Sequence, residues 1–254
     1  MVKARVLAVT NRKGGSGKTS TSVNLSAELA AQGHRVLLID LDTQGHCAIG
    51  LGVPAVRNGP TVHGFMAGRH SLSAAIVPSA WAGLHLIPAD PLFEHGSGQQ
   101  QDHVLWTALQ QEELLTQYDV VVLDTPPSLD ALLLNALCAA DRVLVPFVPH
   151  FLAGEGVRQL ARVLFRVASR GGNDRLRVLG FLPVMQDARI GQHRSVTDSL
   201  AQQFGADRIL PGIRNDIRVA EAFAAGKPVR EHAPNARATA DYALAVLAAW
   251  RRWT

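Results

Sequence analysis

Seven residues near the N-terminus, Lys13-Gly14-Gly15-Ser16-Gly17-Lys18-Thr19, leave little choice about the local fold. They are preceded by Arg5–Thr10 (RVLAVT), a short apolar run that reads as a buried strand. They open into Thr19–Gln32, which reads as a helix closed by Gly33. A glycine-rich turn from strand to helix is the setting a phosphate-binding loop requires. Glycines let successive N–H groups curl around phosphate oxygens, and the helix N-terminus adds partial positive charge. Lys18 can reach β- and γ-phosphates, and the Thr19 hydroxyl can ligand Mg²⁺. A glycine-rich turn with no ligand fits this context poorly. The spacing departs from the common GxxxxGK[ST] pattern, because position 12 is Arg12 and a second lysine, Lys13, follows it.

Further short apolar runs recur at Arg35–Asp40, Leu84–Pro88, Val120–Asp124, Arg142–Val148 and Arg177–Val184, with helical patterns between most of them. Apolar strands alternating with helices predict a doubly wound, mainly parallel α/β sheet covered by helices on both faces. Hydrophobic residues make up 47% of 254 residues, enough for a large core. With no repeat and no linker, residues 1–254 read as a single domain. The least structured stretches are expected at roughly Gly50–Ala74 and Pro91–Asp102, the second containing HGSGQQQ. Cys47 and Cys138 lie far apart without ligand spacing, which argues against a metal site or a disulfide framework and favours a reducing compartment. The N-terminus shows no cleavable signal pattern and no apolar run is long enough to span a membrane, so a cytoplasmic protein is expected.

Three carboxylates stand where chemistry would need them. Asp40 and Asp42 end the second strand, and residues two apart on a strand share a face. Ligands bind at the carboxyl ends of parallel strands, so both can sit beside a Mg²⁺–nucleotide. Asp124 ends the VVVLD strand, where it can hold Mg²⁺ through water. The alternative for each is to cap the following turn. Charge is uneven: residues 1–149 carry 9 Lys/Arg against 12 Asp/Glu, and residues 150–254 carry 16 against 9. That asymmetry suggests a polyanion partner for the second half, or a solvated arginine-rich surface. Arg158, Arg162, Arg166 and Arg170 recur every four residues, one stripe on a helix, with the same two readings.

KGGxGK[ST] with the extra Lys13 is the deviant phosphate loop of the ParA/MinD ATPases, and the chain resembles that family here. The stretch DLDTQG resembles the family's DxDPQG, with Thr43 in place of proline. The run from Tyr118 to Pro146 resembles it closely, with Thr125 where cysteine is common. Gln186–Arg189 (QDAR) and Ile209–Val229 extend the resemblance to its ParA branch, while His150 stands where many relatives have glutamate. The resemblance implies a P-loop NTPase fold, ATP and Mg²⁺ as cofactors, and a weak ATPase stimulated by a partner. It implies nucleotide contacts from Lys13, Gly14, Gly15, Ser16, Gly17, Lys18, Thr19, Ser20 and Asn215. Catalytic roles are implied for Lys13, acting across an ATP-sandwich homodimer, for Lys18, and for Asp42, which would position the attacking water. Metal contacts are implied for Thr19, Asp40 and Asp124, and sequence-independent DNA contacts for Arg189 and Arg218. The partners so implied are a second copy, nonspecific DNA of the nucleoid, and a ParB-like or cargo-adaptor protein that stimulates hydrolysis. The alternative is a MinD-like membrane-associated switch, to which the ending AVLAAWRRWT gives some support through aromatic residues beside arginines. A metabolic or metal-delivery enzyme of the same superfamily is a further class, against which the absence of a CxxC pair speaks.

Overall fold

The computed structural model describes residues 3–54, 59–93, 102–169 and 172–253. In chain order the elements are β1 (Arg5–Val9), α1 (Lys18–Ala31), β2 (Val36–Asp40), α2 (His46–Leu51), α3 (Val62–Met66), β3 (Val77–Pro78), β4 (Leu84–Ile87), α4 (Val104–Gln111) and α5 (Leu114–Gln117). The chain continues with β5 (Val120–Asp124), α6 (Ala131–Ala139), β6 (Arg142–Phe147), α7 (Ala153–Ser169), β7 (Arg177–Pro183), α8 (Gly191–Phe204), α9 (Ile217–Ala224), α10 (Val229–His232) and α11 (Arg237–Trp253).

Among the described residues the strands form one seven-stranded sheet in the order β3-β4-β2-β5-β1-β6-β7. Its pairings are parallel except for β3 on β4. Successive side chains of a strand point to opposite faces, and the core divides accordingly. Val6, Ala8, Leu37, Ile39, Val121 and Leu123 pack on one face with the apolar sides of α4, α6 and α7. Leu7, Val9, Val36, Leu38, Val120 and Val122 pack on the other with α1 and α11. The expected doubly wound sheet is what forms.

Two details differ from expectation. The stretch Gly50–Ala74, expected to be poorly structured, contains the end of α2, all of α3 and the start of a short 3-10 turn at Ser73–Ala75, while its residues 55–58 lie outside the described residues. Thr61 caps α3 by accepting the Gly64 N–H at 3.0 Å, and Val62, Met66 and Leu72 are buried. These helices are too short to show a clear 3.6-residue period, and burial rather than propensity stabilises them. The antiparallel edge β3 has only two residues, too few to leave a pattern in the sequence. The segment Pro91–Asp102 lies mostly outside the described residues, as does Arg170.

The parallel register aligns the strand ends: Val9 pairs with Asp124, and Asp124 with Asp40. The loops that leave β1, β2 and β5 therefore emerge side by side at one edge.

Candidate functional site

The loop from β1 to α1 has the conformation its glycines allow. Gly15 and Gly17 have φ of +70° and +80°, the left-handed region that favours glycine. A Cβ on Gly17 would also lie 3.0 Å from the Val184 side chain, so that position is restricted twice over. A Cβ on Gly14 or Gly15 would meet nothing within 4 Å, so no other side chain crowds that part of the loop. The buried Ser16 hydroxyl has no hydrogen-bond partner among the described residues. Lys18 opens α1 and is only 6% exposed. Burial lowers its pKa, and the charges of Asp124 and Asp42 oppose that shift. An anion-binding loop with an orphaned buried hydroxyl and a desolvated ammonium fits a polyphosphate.

Asp40 and Asp124, paired in register, are both wholly buried. Thr19 donates its hydroxyl to Asp124 Oδ2 at 2.8 Å, and Ser22 donates to Oδ1 at 2.8 Å. Asp40 accepts the N–H of Asp42 at 3.1 Å and of Cys47 at 2.9 Å. Burial, then the charge of Asp124, raises the Asp40 pKa well above the ordinary carboxylate value. Burial likewise raises that of Asp124. Two buried carboxylates and a hydroxyl at the mouth of a phosphate loop make a site short of positive charge, which suits a hard divalent cation. Asp42 is half-buried at the rim, one step nearer solvent than Asp40.

A residue that spacing argued against stands inside this cluster. The Cys47 thiol, wholly buried on α2, lies 3.4 Å from Asp124 Oδ2. Single ligand atoms of Asp40, Cys47 and Asp124 all fall within 4.8 Å of one another. Burial, followed by the two carboxylate charges, pushes the Cys47 thiol pKa well up. The three residues come from two strand ends and a helix, so no local ligand spacing could reveal them. The available signal was Cys47's position at the start of the helix that follows the Asp40–Asp42 turn.

The two loop lysines have different surroundings. Lys13 is exposed, with its Nζ 2.6 Å from His150 Nε2 beyond the end of β6. The Leu152 N–H donates to His150 Nδ1 at 3.2 Å. A neutral imidazole that accepts at Nδ1 carries its proton on Nε2 and cannot accept from an ammonium there. The Leu152 and Lys13 contacts therefore compete, and Lys13 is loosely tethered. Burial, then the Lys13 charge, lowers the His150 pKa.

Arg189, in the turn after β7, and Arg218, in the first turn of α9, follow segments that pair with each other. Gln186 bridges Arg214 in parallel, its N–H donates to Ile213, and the Asn215 N–H donates to the Gln186 carbonyl. Asn215 is thereby docked on the segment after β7 whose Val184 packs against Gly17. Both arginines are exposed and held by local carboxylates, Arg189 by Asp187 at 2.7 Å and Arg218 by Glu221 at 2.6 Å. On α7, Arg158, Arg162 and Arg166 lie on the exposed face, with Arg158 paired to Glu155. At the C-terminus Trp253 is only 9% exposed and stacks near Trp250, which in turn meets His34 and the Arg5 guanidinium. The tail aromatics thus pack onto the protein itself. Among the described residues no helix is long and apolar enough to cross a membrane.

A family model described as an AAA domain matches residues 4–178. The chromosome partitioning protein ParA of Caulobacter vibrioides is 40% identical over 234 residues, covering 89% of this chain and 86% of that one. This chain belongs to the ParA/MinD family. The chromosome-partitioning ATPase Soj of Thermus thermophilus is 41% identical over 232 residues, covering 91% and 90%. Among solved structures, a cobyrinic acid a,c-diamide synthase from Mycobacterium smegmatis, with bound ATP analogue and magnesium, is 32% identical. It covers 98% of this ParA-family chain and 96% of its own, with a TM-score of 0.80. The MinD cell-division ATPase of Pyrococcus furiosus superposes with a TM-score of 0.81 at 21% identity, which establishes the shared fold.

Proposed function

We propose that this ParA-family protein is an ATP-dependent dimerising switch that binds DNA without reading sequence and positions a cargo. The observation that carries the reading is the opposite surroundings of its two loop lysines. Lys18 is buried within reach of the charges of Asp124 and Asp42 in its own chain, whereas Lys13 is exposed with its Nζ beside His150. A lysine turned outward from its own phosphate loop is suited to the phosphates of a second copy, and Lys18 to those of its own. In this reading the N–H groups of residues 13–20 wrap the phosphates, and Asn215 contributes from the neighbouring loop. Thr19, Asp40 and Asp124 would hold Mg²⁺, which supplies charge neutralisation on the β- and γ-phosphates. Asp42, at the rim, accepts a hydrogen bond from the attacking water and orients it.

Dimerisation would set two copies of the Arg189 and Arg218 loops side by side and double their charge toward a duplex. A ParB-like or cargo-adaptor partner would then stimulate a slow hydrolysis and release the dimer, in the cytoplasm and on the nucleoid. The names of the relatives make the chromosome the first cargo to test. The experiment is light scattering and DNA anisotropy with and without ATP. A species of twice the monomer mass and salt-sensitive DNA binding should both require ATP. DNA binding indifferent to ATP, or absent, counts against the switch. The membrane-associated alternative loses its main sequence support, because the Trp250 and Trp253 rings are engaged within the protein. Liposome co-sedimentation in ATP should leave the protein in the supernatant.

A further inference from the structure

The cluster beneath the phosphate loop contains one donor that magnesium chemistry does not call for. Mg²⁺ takes oxygen ligands, and Asp40, Asp124 and Thr19 supply them. Cys47 adds a sulfur from a fourth element, the start of α2, and its placement is specific. Its Sγ lies 3.4 Å from Asp124 Oδ2. A tetrahedral ion with metal–sulfur and metal–oxygen bonds of zinc length sets its sulfur and oxygen ligands about 3.5 Å apart. The Asp40 carboxylate completes a triangle whose atoms all lie within 4.8 Å. The Thr19 hydroxyl donates to Asp124 Oδ2 at 2.8 Å. The Cys47 N–H is bound to Asp40, which fixes the start of the helix relative to the carboxylate.

We infer that Asp40, Cys47 and Asp124 form a mixed oxygen–sulfur site that captures a thiophilic divalent cation in preference to Mg²⁺. The inference rests on the metal position assigned in the preceding subsection and adds to it a selectivity particular to Cys47. Soft thiolate ligands select zinc-like ions, whereas an all-oxygen set suits magnesium. On binding, the Cys47 thiol gives its proton to solvent as the sulfur–metal bond forms. No oxidation or reduction accompanies that exchange. The captured ion would occupy the place that Mg²⁺ needs beside the β- and γ-phosphates, so hydrolysis would become sensitive to zinc-class metals.

Cd²⁺ is the probe, because a cadmium–thiolate bond has an ultraviolet charge-transfer band that oxygen and imidazole ligands lack. Nucleotide-free protein titrated with Cd²⁺ should develop the band to one equivalent. Cys138→Ala should keep it, and Cys47→Ala should lose it. Cys47→Ser, which keeps the side chain's shape, should lose it too while retaining the far-ultraviolet dichroism of the fold. Asp124→Asn should keep the band but weaken Cd²⁺ affinity about tenfold or more. In Mg²⁺–ATP, Cd²⁺ should inhibit hydrolysis by the wild type more strongly than by Cys47→Ala. No band in the wild type, or a band that survives Cys47→Ala, overturns the inference. Because the band is read without nucleotide, its absence would leave the ATP reading standing, whereas failure of Mg²⁺–ATP binding would strike that reading directly.

Discussion

Lys18 and Arg218 are both proposed to meet phosphate oxygens, yet the protein holds them in opposite ways. Lys18 is buried on the first turn of a helix, its ammonium desolvated and under the charges of Asp124 and Asp42. Arg218 stands on the surface, paired to Glu221 three residues along its own helix. In the first region the partners are preorganised and screened from water, so each group carries a large share of binding. In the second, exposed pairs are worth little on their own, and affinity would come from summed charge that salt can screen. On the proposed reading, one region would serve a defined ligand and the other a polyanion of any sequence.

Lys18→Ala tests the buried side most severely. Removing one member of a buried charge cluster costs about 3 kcal/mol or more, so ATP affinity should fall at least about a hundredfold in a calorimetric titration. Wild-type affinity would defeat the assignment of the phosphate loop. Asp42→Ala should leave ATP affinity near wild type and lower the hydrolysis rate about a hundredfold, the typical worth of a group that handles the attacking water. Such a variant should persist as an ATP-bound dimer in light scattering, and an unchanged rate would assign the water to another residue.

Lys13→Ala lies between the two regions, an exposed cation of the loop itself. Loss of a charge-assisted contact should weaken ATP-dependent dimerisation about tenfold while nucleotide binding to the monomer survives. Normal dimerisation would remove Lys13 from the role across the interface. Changing Arg189 and Arg218 together to glutamate probes the exposed side. Nucleotide binding and dimerisation should be untouched, and the salt dependence of DNA binding should lose about one unit of slope for each phosphate contact removed. Unchanged DNA affinity would move attention to Arg158, Arg162 and Arg166 on α7.

The smallest effect concerns pH. Burial raises the pKa of Asp40 and Asp124, so the folded metal-free protein retains protons that the unfolded chain has released. Their contribution to stability is full below the unfolded carboxylate value, about 3.9, and is lost as pH rises through the raised folded values. In the proposed site Mg²⁺ would bind the deprotonated pair. The gain in thermal midpoint from Mg²⁺–ADP over chelator alone should therefore grow as pH rises across that window. A gain that stays flat would show that these carboxylates do not hold the metal.

Much of this protein was legible along the chain. The glycine-rich turn between Arg5–Val9 and Lys18–Ala31 is local chemistry, and the strands β1, β2, β4, β5, β6 and β7 announce themselves as apolar runs because both of their faces are buried. Asp40 and Asp124 could be singled out from their places at strand ends, whereas Asp42, expected on the same strand, lies in the turn just after β2. Tertiary structure alone decided the rest. It formed α3 out of a stretch without clear periodicity, through burial of Val62 and Met66. It set the segments leading to Arg189 and Arg218 against each other through the Gln186–Arg214 bridge, a pairing between residues 28 positions apart. It placed the Cys47 sulfur against a carboxylate 77 positions away. Periodicity and spacing record what neighbouring residues do together, and a side chain's distant neighbours exist only once the parallel register has brought the strand ends into line.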